Sequence, residues 1–448
     1  MLIQGVSGVR GLFPSDLDAP LARRYAVAFH RFCGAGALVV GRDTRRSGAK
    51  LISAILDLFE SVGREIRDSG ICPTPTVQFT VEDTDAVGGI VVTASHNPGN
   101  WNGLKFITGD GCFLNAEEFE RLSQLFGENE ELEKLSGDEL GTYSRFDGAI
   151  RRHVDRILAV EWIDVEDIKK RRFSVAVDTI NGAASEALPM LLEQLGCRVV
   201  RLNCDFSGKF AHPPEPLPSN LVTLSETVKE HHCDVGLATD PDGDRLAVVD
   251  ERGQPLGDEY TLVLAVDDFL RSTGSSETIV TNLSTTQAVD RVATTYGANV
   301  KRSAVGEINV VELMKEVNSP IGGEGNGGVI LRDVHLGRDA LVAAALVMDR
   351  MEKSGEPLST IFQGFPRYWM VKDKVSVSGV DLDDAFKAIS ETYFDAEKNT
   401  LDGLKLLWPD RWVHIRSSNT EPIVRVYAEA PTRDQAQQLV AEVKENIA

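Results

Sequence analysis

One pattern recurs three times in this chain and limits what it can fold into. An apolar, β-branched run ends in a polar loop and a helical stretch follows. A second apolar run then ends in a loop rich in reactive side chains. The first copy opens at Ala37-Leu38-Val39-Val40-Gly41-Arg42-Asp43, passes an amphipathic stretch over 49–62, and reaches Gly88-Gly89-Ile90-Val91-Val92-Thr93-Ala94-Ser95. The second runs from Phe173 through Asp178 and a helical stretch ending near Leu195 to Asp234-Val235-Gly236-Leu237-Ala238 and Asp240. The third opens at Thr278-Ile279-Val280-Thr281-Asn282 and ends in a glycine loop at Glu324. Opening and closing loops lie 52 residues apart (Asp43 to Ser95), 62 (Asp178 to Asp240) and 42 (Asn282 to Glu324). Strands alternating with helices predict α/β layers, and the repeated spacing predicts three related units. Open α/β sheets hold ligands beyond the C-terminal ends of their strands, so chemistry is expected at these three loops.

The tail breaks the pattern. Residues 382–393 and 433–447 have helical spacing, and 403–415 and 423–430 look like strands, which predicts a small α+β domain. The expected fold class is three related α/β domains with mixed sheets plus a C-terminal α+β domain around a central cleft. Boundaries are expected near Asp147, Gly253 and Phe365-Pro366, giving 1–147, 148–253, 254–365 and 366–448. Further helices are expected at Leu21–Phe32 and, polar and acidic, at Ala116–Phe126.

Composition narrows the class of partner. Of 448 residues, 47 are Lys or Arg and 68 are Asp or Glu, a net charge of −21. Nucleic acid and anionic membranes both demand a basic face, so neither is expected. A phosphorylated small molecule remains open, because a few placed arginines bind one. Cys33, Cys72, Cys112, Cys197, Cys204 and Cys233 form no Cys-x-x-Cys pair and read as buried thiols of a reducing compartment. With no signal-peptide pattern and no apolar run of membrane-spanning length, a cytoplasmic protein is expected. Oligomeric state is not legible.

Several loops carry chemistry. At Thr93-Ala94-Ser95-His96-Asn97-Pro98 the residue before proline is pushed away from helical angles. The chain turns there and presents a hydroxyl; a self-capped turn is the plainer reading. In Asp240-Pro241-Asp242-Gly243-Asp244-Arg245 three alternating carboxylates can converge on a hard cation. Glu251 stands where a helix–loop–helix calcium site wants its last ligand. Against that, Gly243 is at the fourth loop position rather than the sixth, and 246–249 reads as a strand. Three carboxylates without a full cage suit Mg²⁺; an acidic surface turn is the alternative. Gly322-Gly323-Glu324-Gly325-Asn326-Gly327-Gly328 allows close backbone approach. Its Glu324 and Asn326 suit paired sugar hydroxyls, although a flexible linker would read the same way. Arg416-Ser417-Ser418-Asn419-Thr420-Glu421-Pro422 offers a cation, hydroxyls, an amide and backbone N–H groups to a phosphate, with Arg425 nearby; a hairpin turn is the alternative. Gly5 to Gly11 reads as a flexible loop, either a plain turn or one that brings Arg10 to an anion. No Gly-x-Gly-x-x-Gly turn follows an early strand, which argues against a nicotinamide enzyme. Together the loops suggest phosphoryl transfer on a phosphosugar.

On these four motifs, in this order, the chain resembles the α-D-phosphohexomutases along essentially its full length. This family includes phosphoglucosamine mutases, phosphomannomutases and phosphoglucomutases. The resemblance implies an isomerase in which phosphorylated Ser95 gives its phosphoryl group to the sugar. The bisphosphorylated sugar then turns end for end and returns its other phosphate. It implies Mg²⁺ on Ser95, Asp240, Asp242 and Asp244, and a sugar 1,6-bisphosphate as activator. Glu324 and Asn326 would hold ring hydroxyls, and Arg416, Ser418, Asn419, Thr420 and Arg425 the fixed phosphate. Arg10 and Arg245 would stabilise transferring charge, with Lys105 and His96 as candidates to move the proton; His335, after the sugar loop, is a weaker candidate for substrate contact. Gly328 stands where some members have histidine, Asn326 where some have serine, and Val6 where a hydroxyl residue is frequent. With Val305-Gly306-Glu307-Ile308-Asn309, the sugar loop is most similar to archaeal-type members assigned to glucosamine, glucose or mannose phosphates. A phosphoglucosamine mutase is the reading preferred here, ahead of a phosphomannomutase or phosphoglucomutase. A phosphosugar-binding protein without turnover and a phosphatase are the competing classes.

Overall fold

The computed structural model describes residues 1–128, 141–376, 382–417 and 423–447. The first unit holds β1 (Ile3–Gly5), β2 (Gly8–Leu12), β3 (Leu38–Arg42), β4 (Ile66–Ile71), β5 (Gly88–Val92), β6 (Trp101–Thr108) and β7 (Tyr143–Arg145), in sheet order β1-β2-β6-β5-β3-β4-β7. The second holds β8 (Ser174–Asp178), β9 (Arg198–Leu202), β10 (Val235–Thr239) and β11 (Leu246–Asp250), ordered β11-β10-β8-β9. The third holds β12 (Ile279–Asn282), β13 (Val300–Ser303), β14 (Ile321–Glu324) and β15 (Gly328–Leu331), ordered β13-β12-β14-β15.

The three sheets share one plan. In each, an opening strand (β3, β8, β12) lies between two parallel neighbours, and the second of these (β5, β10, β14) pairs antiparallel with the strand after it. The second neighbour ends, in each unit, at the loop that carries Ser95, Asp240 or Glu324. The opening strand ends beside it, and its last polar group ties the two loops together. Asp43 Oδ2 accepts from Thr93 Oγ1 at 2.7 Å, and Asn282 Nδ2 donates to Glu324 Oε1 at 2.7 Å. In the second unit the backbone makes the link, from Ala183 N to Pro241 O at 2.8 Å.

The fourth unit is an antiparallel sheet of β16 (Trp369–Ser376), β17 (Glu397–Asn399), β18 (Leu404–Leu407), β19 (Trp412–Ser417) and β20 (Ile423–Ala430), ordered β16-β20-β19-β18-β17. The helix Arg433–Glu445 packs one face, where Val371, Val375, Val413, Ile415, Val424, Val426 and Ala428 meet Leu439, Val440 and Val443. The polar face docks on the third unit. Ser284 Oγ meets His414 Nδ1 at 2.8 Å, Lys405 Nζ donates to Leu283 O at 2.5 Å, and Gln287 N donates to Glu429 Oε1 at 2.9 Å.

The second and third units share one continuous apolar core. At its centre lie the helices Tyr260–Thr273 and Ala340–Ser354, which are apolar nearly all round, as helices buried on every side must be. The first unit has its own core beneath the helices Ala19–Cys33 and Gly48–Ser61. Its helix Thr74–Glu82 points its first turn at the acidic loop of the second unit, where Thr74 N donates to Asp242 O at 2.8 Å.

Two expected elements are corrected. Gly5 to Gly11 is no free loop: β1 and β2 form a hairpin about Val6-Ser7, with Gly8 at φ +96° and a Cβ there blocked by Leu104 O. The span 403–415 is two strands, broken where Trp408 N bonds back to Arg411 O.

Candidate active site

Ser95 stands three residues past β5 with φ +49°, a left-handed conformation that costs a serine roughly 1–3 kcal/mol. A buried arginine holds it there. Arg45 donates through Nη2 to Ser95 O (2.5 Å) and Asn97 O (2.6 Å), and through Nη1 to Pro98 O (2.5 Å) and Trp101 O (3.1 Å). Its Nε is anchored on Asp43 at 2.9 Å. The whole turn is thus wound round one guanidinium, and Ser95 Oγ is delivered to Asp240 Oδ2 of the second unit at 3.1 Å, with His96 Nδ1 at 3.3 Å.

The acidic loop is fully buried, and each carboxylate divides its two oxygens. Asp242 Oδ2 accepts from Thr74 Oγ1 (2.7 Å) and Lys105 Nζ (2.7 Å), while its Oδ1 has no partner. Asp244 Oδ2 accepts from Arg338 Nη2 (2.8 Å) and Lys105 Nζ (3.3 Å), and its Oδ1 is likewise unpartnered. Asp240 Oδ1 is taken by the N–H groups of Asp244 and Arg245, which leaves Oδ2 for Ser95. A buried carboxylate oxygen without a donor is costly; Asp242 Oδ1 and Asp244 Oδ1 are in that state, while Asp240 Oδ2 carries only the Ser95 hydroxyl, and these are the oxygens a shared cation would use. The three supply ligand atoms within 4.8 Å of one another. A second group of that kind, His153, His335 and Asp339, has a plainer account. Asp339 Oδ2 lies 2.8 Å from His153 Nε2 and 3.3 Å from His335 Nε2, and Thr76 Oγ1 meets His153 Nδ1 at 3.0 Å. His335 therefore sits in this pin. Glu251 accepts from Ser359 N and Oγ, away from the aspartates.

Electrostatics agree with that division. Burial and the neighbouring Asp244 and Asp242 push Asp240 well above the ordinary carboxylate range. Burial pushes Asp244 the same way, but Arg338, Lys105 and Arg245 overcome it and hold it well below. Burial works against the Lys105 ammonium, yet Asp242 and Asp244 raise its pKa, so it is charged. Arg245, burial and Arg10 depress His96 well below the usual imidazole range, so it is neutral.

Glu324 comes to the same place from β14. It accepts from Asn282 Nδ2 (2.7 Å) and Gly306 N (3.0 Å) on Oε1, and from Arg338 Nη1 (2.5 Å) on Oε2. Asn326 turns its amide to Glu324 Oε2 at 3.4 Å. Arg245 reaches Glu215 at 3.4 Å, and its buried Nε makes no hydrogen bond but lies 3.8 Å from Asp244 Oδ1; Arg10, on β2, donates to Asn97 Oδ1 at 3.2 Å. In the fourth unit Arg416 pairs across strands with Arg425, and Arg425 with Lys374, so three cations stand in a row on one face. Like charges directly opposed are destabilising. Among the described residues Arg416 faces Asp402 at 3.8 Å, and its Nε has no hydrogen-bond partner. Ser418, Asn419 and Thr420 lie outside the described residues.

Sequence reasoning missed Arg338, Glu307, Thr74 and Arg45. Arg338 Nε donates to Glu307 Oε2 at 3.0 Å, so one guanidinium touches three carboxylates. The signal that could have found it is a polar Gly-Arg-Asp placed directly before a helix that is apolar from Ala340 to Met348.

Comparison with known proteins decides the family. Family profiles described as phosphoglucomutase/phosphomannomutase alpha/beta/alpha domains I, II and III match residues 1–133, 151–253 and 257–368, and the C-terminal domain profile matches 374–446. The chain belongs to the phosphoglucomutase/phosphomannomutase family. It is a phosphohexomutase and hence an isomerase. A phosphoglucomutase/phosphomannomutase of Thermococcus kodakarensis is 37% identical, covering 97% of this chain and 96% of that protein. A phosphoglucosamine/phosphogalactosamine mutase of Sulfurisphaera tokodaii is 31% identical, covering 99% and 98%. The crystal structure of a phosphoglucomutase/phosphomannomutase family protein from Burkholderia thailandensis superposes with a TM-score of 0.86 at 28% identity, over 98% of this chain and 95% of that one. Among the described residues no helix is long and apolar enough to cross a membrane.

Proposed function

We propose that this phosphohexomutase interconverts hexose 1-phosphate and hexose 6-phosphate through a phosphoryl group carried on Ser95, with glucosamine phosphate as its preferred substrate. The observation that carries the reading is the contact of Ser95 Oγ with Asp240. A hydroxyl and an acidic triad from different units, 145 residues apart, meet in one buried place. In one half-reaction the Ser95 Oγ–phosphorus bond breaks and a bond from phosphorus to the free sugar hydroxyl forms. The hydroxyl gives up its proton as Ser95 Oγ regains one. The bisphosphorylated sugar turns end for end, and Ser95 Oγ takes the other phosphate back.

Neutral His96, with Nδ1 beside Ser95 Oγ, is placed to exchange that proton. Lys105, charged and held by two aspartates, keeps its own and stabilises negative charge. Mg²⁺ on Asp240, Asp242, Asp244 and the phosphorylated Ser95 would neutralise charge on the transferring group. A sugar 1,6-bisphosphate would load Ser95. Arg416, with Ser418, Asn419 and Thr420, grips the phosphate that is not transferred, and Arg425 and Lys374 add to the field there. Glu324 and Asn326 take ring hydroxyls. The names of several relatives favour an amino sugar.

The test is a set of initial rates on the 1- and 6-phosphates of glucosamine, mannose and glucose, for the native protein and Ser95→Ala. The highest kcat/KM is expected on glucosamine phosphates, with mutase turnover lost in Ser95→Ala while its thermal unfolding is unchanged. Full turnover by Ser95→Ala, or release of free phosphate in place of isomerisation, would overturn the reading.

A further inference from the structure

Arg338 has no role in the reaction as described, yet it joins two of its parts. Its Nη2 donates to Asp244 Oδ2 (2.8 Å), its Nη1 to Glu324 Oε2 (2.5 Å) and its Nε to Glu307 Oε2 (3.0 Å). Every nitrogen of a planar fork is therefore committed to a different carboxylate. The side chain is buried, and it stands at the head of the helix Ala340–Ser354, fixed from behind by Asp339 in its pin with His153 and His335. Asp244 belongs to the second unit and Glu324 to the third; they come from strands of separate sheets.

We infer that Arg338 is a positioning residue that couples the cation site to the sugar site. The inference rests on the assignment of those two sites made above. A guanidinium is rigid and planar, so it cannot shift toward one carboxylate without turning from the others. While Arg338 holds Asp244 Oδ2, Oδ1 accepts no hydrogen bond and has Arg245 Nε 3.8 Å away. While it holds Glu324 Oε2, the sugar loop keeps its place relative to the acidic loop. The two loops also touch through the backbone, Leu246 N to Gly327 O at 2.9 Å, but Arg338 is the side chain that grips a carboxylate of each. A ligand that orders one loop thus orders the other chiefly through it, and by linkage the effect is equal in both directions. Lys105 cannot replace it: Lys105 reaches Asp242 and Asp244 but makes no contact with Glu324.

The test reads binding without turnover. Mn²⁺ is titrated by electron paramagnetic resonance into the dephosphorylated protein, with and without saturating glucosamine 6-phosphate, and with glucose 6-phosphate as a second probe. In the native protein the sugar phosphate should tighten Mn²⁺ binding by a factor on the order of 5 or more. In Arg338→Lys, where an ammonium cannot span both carboxylates, Mn²⁺ should bind more weakly and the factor should fall to about 1. Glu307→Gln keeps the contacts of Arg338 with Asp244 and Glu324, so it should keep the factor, which a general loosening of the site would not allow. Should Arg338→Lys fail to fold, Glu324→Gln weakens the sugar end of the bridge; at a glucosamine 6-phosphate concentration shown by calorimetry to saturate that variant, the factor is expected to be lost while Mn²⁺ still binds. A native-sized factor in Arg338→Lys or Glu324→Gln, or none in the native protein, overturns the coupling. Asp242→Asn separates the two levels: unchanged Mn²⁺ affinity there removes the cation-site assignment itself and the coupling with it.

Discussion

The chemistry of the acidic loop comes from splitting each aspartate between two tasks, with one oxygen tied by Thr74, Lys105, Arg338 or backbone N–H and the other left over. In the fourth unit the imbalance is of the opposite sign. Arg416, Arg425 and Lys374 stand side by side across three strands. Charge-assisted hydrogen bonds are worth about 1.5–3 kcal/mol each. Arg416→Ala should therefore raise KM for the hexose 1-phosphate and the 6-phosphate alike by roughly 10–100-fold, measured by steady-state kinetics in both directions. Loss for one isomer only would mean that the phosphate site does not serve both orientations. At this scale the sequence was legible where chemistry is local. Ser95, the three aspartates and Glu324 announce themselves by their neighbours in the chain. Arg338, Arg45 and Glu307 do not, because their meaning lies in partners 94 residues away (Arg338 with Asp244), 50 (Arg45 with Ser95) and 31 (Glu307 with Arg338). The sequence alone also left open whether Lys105 or His96 moves the proton; burial and the surrounding charges favour His96.

Among the elements, the helix Ala340–Ser354 has the widest reach, and its N-cap is its weakest point. Asp339 accepts from Leu341 N at 2.8 Å and lies against the imidazoles of His153 and His335, while His153 meets Thr76 of the first unit. Burial pushes the Asp339 carboxyl up, but the two histidines hold it well below the usual range. A depressed folded pKa stabilises the protein fully above the unfolded carboxylate value of about 4, and the effect is lost as pH falls through the folded value. Asp339→Ala should cost about 3–5 kcal/mol in denaturant unfolding at pH 7, with the difference from native narrowing as pH drops below about 4. A constant difference across that range would remove the ion pair from the account. The helix itself, like Tyr260–Thr273, was missed from sequence because a period-3.6 stripe vanishes when all sides are buried. The hairpin of β1 and β2 was missed because a glycine-rich run reads as a loop until β6 pairs with it.

Taken whole, the molecule is one structural plan used three times, with each copy contributing a different loop to a single site. The repeat was legible because the strand-end loops recur in the chain at comparable spacing. Their convergence was not, because it depends on how the helices Ala340–Ser354 and Thr74–Glu82 bring separate sheets together. A hydroxyl from one copy, carboxylates from the next and a buried glutamate from the third meet in one place, as the proposed passage of a phosphoryl group requires. Mass spectrometry of the active site measures that directly. The protein is incubated with glucose 1,6-bisphosphate, freed of excess ligand, and then given one equivalent of hexose 1-phosphate. Phosphate should appear on Ser95 after the first step and leave it after the second, at the rate of turnover. Mutase turnover at the full rate with residue 95 unphosphorylated throughout would contradict the central claim.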